Sequence, residues 1–160
     1  MSVISELKAP FPASAIHWRI GSTNKKRVER ETNNPQARPT KGLPLAYIDA
    51  RDVMYRLDKV VGPENWQDSY SETAKGRVIC ELSIKIDGEW ITKSDGAGDT
   101  GTEGEKGALS DAFKRAAVKF GVGRYLYSTR SQWIELKNGY APDNISEICA
   151  QYLVDVGPGS

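Results

Sequence analysis

The segment Val78–Ile86 places an apolar residue at every second position, and Asp87-Gly88 follows it directly. This period predicts a half-buried strand, and Asp-Gly after such a run is a strong short-range signal for a hairpin. We therefore expect Glu89–Lys93 to return as the next strand. Upstream, Trp66–Thr73 is compatible with a strand and is joined to Val78 through the turn residues Ala74–Gly76. These segments predict an antiparallel sheet of three or four strands.

Two longer segments have the apolar spacing of helices. The first begins after Asp49, a residue type that caps helix N-termini, and it ends at Gly62-Pro63. The second spans about 105–120 and ends at Gly121-Val122-Gly123. Its apolar stripe consists of Leu109, Ala112, Phe113, Ala116 and Phe120.

Flanking segments complete the expected order of elements. Ile16–Ile20 alternates like a strand, after a short amphipathic turn that ends at Pro10 and Pro12. Residues 124–134 are expected to be extended or irregular, and residues 145–152 have a weaker helical spacing. The resulting order, β-α-β-β-β-α, indicates the α+β class.

The length and composition favour one buried core, because 160 residues with 39% hydrophobic content are too few for two comfortable domains. We expect a domain at 1–136 and a C-terminal extension at 137–160, weakly helical and then a flexible tail. The sequence has no apolar run of 18 residues and no secretory signal pattern, which favours a cytoplasmic protein without membrane contact. The scattered Cys80, Cys149 and His17 predict neither a disulfide nor a metal site.

Charge is segregated along the chain, although the formal net charge is only +1. Residues 18–41 and 106–137 each carry a net charge of +5, whereas residues 42–105 carry −6. Within the first basic segment, Gly21–Thr40 has almost nothing apolar to bury and is expected to be a long, basic, mobile loop. The two segments can bind a polyanion if they meet in space, or they can lie on separate solvated faces.

The glycine-rich run at 95–107 does not match either familiar ligand loop. A phosphate-binding loop needs a lysine directly after its last glycine and then a hydroxyl residue, whereas Glu105 and Gly107 interrupt this pattern. A calcium loop starting at Asp95 would need different residues at its third and sixth positions. The acids of this run are Asp95, Asp99, Glu103 and Glu105; they favour a solvated loop, with a metal-dependent nuclease as the enzymatic alternative.

The second predicted helix combines apolar anchors with cations. Helical spacing places Lys114, Arg115 and Lys119 on one side, where they can track a phosphate backbone or simply form a solvated face. The tyrosines available for stacking on bases are Tyr47, Tyr125 and Tyr127. The tryptophans expected in the core are Trp18, Trp66, Trp90 and Trp133.

The segments Asp111–Ala116 and Lys119–Tyr127 resemble the single-strand annealing proteins of the Rad52 superfamily, with the DdrA (DNA damage response A) branch as the nearest. Further matching segments are Ala9–Pro12, Leu45–Arg51 as the entry to a helix, Gly62–Trp66 and Gln132-Trp133. Together the segments span residues 9–133, and their combination in this order is more specific than any one of them.

The resemblance implies an antiparallel β-β-β-α core, with an additional N-terminal strand and helix, that assembles into a homo-oligomeric ring around which a positive groove holds single-stranded DNA. It implies strand annealing and protection of DNA ends in recombinational repair, without nucleotide hydrolysis, cofactor, metal or catalytic residue. An RNA-binding module and a metal-dependent nuclease remain as alternatives, and protein partners stay open.

The resemblance also assigns candidate DNA contacts. Lys114 and Arg115 correspond to the inner-groove cations of the family, and Arg38 corresponds to an upstream arginine. Tyr47 matches a position near the groove. Where the family has a further helical arginine, this chain has Val118.

Four further residues complete the candidate set. Lys119 is the candidate replacement for the missing helical arginine. Lys75 or Arg77 is the candidate for a second, outer DNA site on the hairpin. Lys41 is included as the last cation of the first basic segment.

Overall fold

The computed structural model describes residues 2–98 and 104–154 of the chain. They divide into two compact units, one formed by residues 2–10, 48–98 and 104–125 and the other by residues 11–47 and 126–154. The second unit holds residues on both sides of position 136, and the domain boundary expected there stays a prediction. The helices and antiparallel sheets confirm the α+β class.

The described part of the chain contains α-helices, β-strands and short 3-10 helices. In chain order the helices are α1 (Val3–Leu7), α2 (Lys25–Thr32), α3 (Ala50–Val60), α4 (Gly104–Val118) and α5 (Ile145–Cys149). The strands are β1 (His17–Thr23), β2 (Lys41–Tyr47), β3 (Trp66–Glu72), β4 (Val78–Ile86), β5 (Glu89–Ala97) and β6 (Ile134–Glu135). Short 3-10 helices lie at Ala13–Ala15, Pro63–Asn65, Arg124–Ser128 and Ala150–Leu153.

The first unit is built on the antiparallel sheet β3-β4-β5. Its central strand β4 places Cys80, Leu82 and Ile84 on one face, where all three are completely buried. Helix α4 contacts both β4 and β5, which is why its inner residues are small or flat. The predicted period-two strand therefore forms the centre of this core.

The β4-β5 hairpin has the turn that Asp87-Gly88 predicts. Both residues have positive φ, +52° and +81°, as a tight hairpin turn of type I′ requires. The returning strand was predicted to end at Lys93, but it pairs with β4 as far as Ala97. At Gly96 a Cβ atom would lie 3.2 Å from the carbonyl oxygen of Val78. This glycine permits close strand approach, and its reading as part of a loop was wrong.

Helix α3 and the N-terminal segment are fastened to each other within the same unit. Asp49 and Asp52 form the capping box that begins α3. Further along the helix, the partly buried guanidinium of Arg56 donates hydrogen bonds to the backbone carbonyls of Leu7 (2.9 Å), Ala9 (2.6 Å) and Pro10 (3.2 Å). Burial lowers the pKa of Arg56. The first ten residues thus have a charged anchor in α3.

The second unit contains the antiparallel sheet β1-β2-β6, and α5 contacts β1. Strand β2 was not predicted, because Pro44 interrupts the pattern and Leu45 onward reads as the entry to a helix. Pro44 is tolerated because β6 pairs with β2 only at Lys41 and Gly42, so only one strand, β1, pairs with β2 at the proline. Trp18 on β1 packs edge-on against Tyr152, with ring centroids 6.0 Å apart.

The predicted loop at 21–40 is wrong over Gly21–Thr23, which continue β1, and over Lys25–Thr32, which form α2. The helix is stabilised by oppositely charged neighbours one turn apart, Lys25 with Glu29 and Arg27 with Glu31, and these pairs need no apolar face. The segment after it is tied down as well. The Asn24 side-chain oxygen accepts hydrogen bonds of 2.9 Å from the backbone N–H groups of Thr40 and Lys41.

Several aromatic residues lie elsewhere than predicted. Trp18 is buried and Trp66 half-buried, but Trp90 and Trp133 are 45% and 50% exposed, so their assignment to the core was wrong. Tyr125 is buried in the 3-10 helix Arg124–Ser128, a segment expected to be extended or irregular. Tyr127 is largely exposed. None of the described helices is long and apolar enough to cross a membrane.

Candidate nucleic-acid interface

Helix α4 presents cations from a firmly packed base. Its buried side consists of Ala108, Ala112, Phe113, Ala116 and Ala117, and Phe120 is buried just beyond its end. Phe113 also packs against Trp66, with ring centroids 5.8 Å apart. Leu109 was predicted in this stripe but is 44% exposed, because a helix seated on a sheet through alanines buries only a narrow strip.

The two predicted inner-groove cations differ in their surroundings. Lys114 is half-buried, and its Nζ donates a hydrogen bond of 3.1 Å to the backbone carbonyl of Ile48. Arg115 is exposed, with Nε 3.8 Å from Oδ1 of Asp95. A surface pair of this length contributes little, and a guanidinium has five donors. Arg115 can therefore bind a phosphate while it keeps its carboxylate neighbour.

The C-terminal end of α4 gathers further cations. The Lys119 Nζ donates to the Ser94 carbonyl, and the Lys93 Nζ donates to the Lys119 carbonyl at 3.1 Å. Arg124 donates to the carbonyls of Val118 and Lys119, both at 3.0 Å. The last carbonyls of a helix attract positive charge, which accounts for the positions of Lys93 and Arg124. We call Lys93, Arg115, Lys119 and Arg124 the α4 cation cluster.

Lys93 and Arg124 were missed by the sequence analysis. Lys93 belongs to the returning strand of the hairpin and Arg124 follows the helix-ending glycines, so neither belongs to the predicted helix. Arg124 could have been found, because a cation just after a helix C-terminus commonly binds its last carbonyls. No comparable sequence signal identifies Lys93, because its position beside α4 depends on how the β4-β5 hairpin packs against that helix.

The predicted outer-site residues lie at the β3-β4 turn. Lys75 is exposed in that turn, which is closed by a hydrogen bond of 2.8 Å from the Thr73 N–H to the Arg77 carbonyl. Arg77 is half-buried. The structure places both residues at the same end of the hairpin, and Lys75 offers the more accessible charge.

The second unit carries the remaining candidates. Lys41 and Tyr47 stand six positions apart on β2, so the strand period places them on one face. Tyr47 is half-buried, directly opposite His17 in the β1-β2 register, with ring centroids 5.3 Å apart. Arg38 is exposed and donates a hydrogen bond of 3.1 Å to the Asn138 carbonyl.

Among the residues that the structure describes, the acids proposed as metal ligands of a nuclease are not gathered at one place. Asp95 faces Arg115, while Asp99 and Glu103 lie outside the described residues and the Glu105 side chain is likewise not described. Within residues 2–98 and 104–154, no three His, Cys, Asp or Glu side chains lie close enough to hold a metal ion.

The helix-covered face of the sheet contains titratable groups with displaced pKa values. Tyr70 stands opposite Cys80 in the β3-β4 register, and its hydroxyl donates to Oδ2 of Asp68 at 2.8 Å. Burial raises the pKa of the Cys80 thiol from 9.0 to about 11. Burial, with Asp68 beside it, also raises the pKa of the Tyr70 hydroxyl, and burial raises the pKa of the Cys149 thiol in the second unit.

These pKa shifts predict that the protein loses stability in alkali. The protonated thiol is the neutral form and is favoured in the fold, so its stabilisation is complete below pH 9 and is lost as the pH rises towards about 11. For one group the free energy of unfolding should fall by at most about 1.4 kcal/mol per pH unit. Urea unfolding between pH 8 and pH 10.5 measures it. A flat profile, or an equally steep one for the Cys80→Ala/Tyr70→Phe variant, would contradict this origin.

The chain has relatives among known proteins. The family model described as Rad52/22 family double-strand break repair protein matches residues 2–145. Two curated relatives, from Deinococcus deserti and Deinococcus radiodurans, are each named single-stranded DNA-binding protein DdrA. They are 39% and 36% identical over 139 and 135 residues, which cover 82% and 83% of this chain. The alignments cover 60% and 58% of the relatives, so the chain spans about three-fifths of their length. No solved structure gives a significant match.

Proposed function

We propose, from the premise that this chain belongs to the Rad52/22 family of double-strand break repair proteins, that it binds single-stranded DNA and promotes strand annealing. The observation that carries the proposal is the α4 cation cluster, with Lys114 beside it, around the C-terminal end of α4. The chain is also related to two proteins named for single-stranded DNA binding. Protection of DNA ends and residence at the nucleoid in the cytoplasm would follow from the same binding.

The mechanism consists of binding without bond chemistry. Lys119 and Arg124, just after the packed helix α4, donate hydrogen bonds to backbone carbonyls. Cations held in this way neutralise phosphates, and their side chains lose little conformational freedom when the DNA strand binds. Contacts to phosphates carry no sequence information and leave the base edges of the strand free to pair with a complementary strand. No catalytic residue, cofactor or nucleotide hydrolysis enters this mechanism.

Several copies of the chain would extend the interface. We propose a homo-oligomeric ring in which each subunit adds its own cations to a continuous groove, with residues 1–136 as the DNA-binding domain. The supporting features are the family match and the strands β3 and β5, which form the two edges of their sheet and can pair with another chain. Light scattering after size exclusion, with and without oligonucleotide, measures the number of subunits.

Titration of a labelled single-stranded oligonucleotide at several salt concentrations tests the proposal. About four neutralised phosphates per subunit predict a slope of log K against log salt near −3 and roughly 50-fold weaker binding for a fourfold rise in salt. Equal or stronger competition by a matched RNA oligonucleotide would favour the RNA-binding alternative. Cleavage of end-labelled DNA with magnesium or manganese would favour the nuclease. No binding at low salt would overturn the proposal.

A further inference from the structure

A tight hairpin in the second unit holds an exposed aromatic ring in a fixed position. Lys137 and Tyr140 form an antiparallel bridge, with N–H to carbonyl distances of 2.8 and 3.0 Å in the two directions. Asn138 and Gly139 between them have φ of +53° and +86°, the pattern of a two-residue hairpin turn. The side chain of Tyr140 is nevertheless 70% exposed, so the fold makes little use of its apolar surface.

Arg38 lies against this hairpin. Its guanidinium donates a hydrogen bond to the Asn138 carbonyl at 3.1 Å, and its Cζ lies 6.0 Å from the centroid of the Tyr140 ring. At Gly139 a Cβ atom would lie 3.1 Å from the Cβ of Arg38, so the absence of a side chain there lets the arginine lie close to the turn. The hairpin therefore positions a cation and an open aromatic ring side by side.

This pair matches two of the three parts of a nucleotide, the base and the phosphate. A tyrosine face stacks on any base, and a guanidinium binds phosphate oxygens through several donors. The same unit has exposed lysines at Lys41, three residues after Arg38, and at Lys137, the bridge partner of Tyr140. An unpaired polyanionic strand with accessible bases has this combination of groups, whereas in duplex DNA the base faces are stacked on each other.

We propose that Arg38 and Tyr140 form a nucleotide-binding platform, in which Tyr140 stacks on one unpaired base and Arg38 binds a neighbouring phosphate. The platform rests on the proposed binding of single-stranded DNA and adds base stacking to it. Tyr140 lies just after residues 1–136, the proposed DNA-binding domain, so the platform extends the interface into the C-terminal extension. It becomes a DNA contact that charge and helix patterns do not reveal.

The test compares an ordinary oligothymidine with an abasic oligonucleotide of the same length. Tyr140→Ala should weaken binding of the oligothymidine about fivefold or more, while Tyr140→Phe stays within about twofold of the unchanged protein. Binding of the abasic oligonucleotide should be the same for all three proteins, because no charge is lost. Tyr55→Ala is the matched control, since Tyr55 is also 70% exposed but lies on α3.

The outcomes distinguish a failure of the platform from a failure of the proposed function. If the unchanged protein binds oligothymidine and Tyr140→Ala binds it equally well, the platform is wrong and single-strand binding stands. An equal loss on both oligonucleotides, or an equal loss for Tyr55→Ala, also overturns base stacking. If the unchanged protein binds neither oligonucleotide at low salt, the proposed function falls, and the platform with it. Thermal unfolding of each variant verifies that the fold is intact.

Discussion

Replacement of both Lys114 and Arg115 by alanine should weaken single-stranded DNA binding about 25-fold at 0.1 M monovalent salt. Each lost phosphate contact should also reduce the log–log salt slope by about 0.7. Lys114 is held in place by its hydrogen bond to the Ile48 carbonyl, and the neighbouring Arg115 is exposed. The double variant therefore removes one positioned cation and one accessible cation. Fluorescence anisotropy of a labelled oligonucleotide at several salt concentrations gives both quantities.

A matched control distinguishes the loss of DNA contacts at α4 from the effect of a lower net charge of the protein. Lys59→Ala/Lys85→Ala also removes two exposed cations from the first unit and should change affinity by less than about threefold, because these lysines lie outside the candidate sites. Lys114→Arg/Arg115→Lys keeps both charges and should retain most of the salt slope. Equal affinity losses for the two alanine double variants would remove the assignment of the groove to α4.

Phe113→Ala should lower the free energy of unfolding by about 3–5 kcal/mol. Phe113 is 3% exposed and packs against Trp66 on the inner side of α4, so its removal leaves a cavity under the helix that carries the cations. Leu109→Ala on the same helix removes a large apolar group from a 44% exposed site and should cost less than about 1 kcal/mol.

Urea unfolding of the two variants beside the unchanged protein measures the contrast. Phe113→Leu keeps most of the buried volume and should cost about 1.5 kcal/mol or less. A Phe113→Ala variant within 1 kcal/mol of the unchanged protein would mean that α4 is not seated as the structure shows. Oligonucleotide binding by this variant should be measured below its unfolding transition, so that loss of fold is not mistaken for loss of contacts.

Local patterns predicted the elements whose signals lie within a few residues. The alternation in β4, the Asp87-Gly88 turn and the cap at Asp49 each act over short distances, and the structure confirms them. Helix α2 was missed because ion pairs one turn apart support it without an apolar stripe. Strand β2 was missed because a proline inside a strand is acceptable only when no second strand pairs there, which the sequence does not reveal.

The candidate site was predictable to a smaller extent. The cations Lys114, Arg115 and Lys119 follow from helical spacing and from the family resemblance, and the structure places them on α4 or just after its end. Lys93 reaches the end of that helix only through tertiary packing, and Arg38 meets Tyr140 across about one hundred residues of sequence. Contacts between distant segments leave no periodic pattern, so charge counts alone could not assign them.

The attachment of the N-terminal segment through Arg56 has a practical consequence for protein engineering. A deletion of residues 2–10 would take away the carbonyls of Leu7, Ala9 and Pro10 together with the completely buried Leu7 side chain, at a cost of about 2–5 kcal/mol. Shortened versions that start at Phe11 should consequently misfold or aggregate in expression trials. Affinity tags joined ahead of Ser2 through a flexible linker should leave this attachment undisturbed.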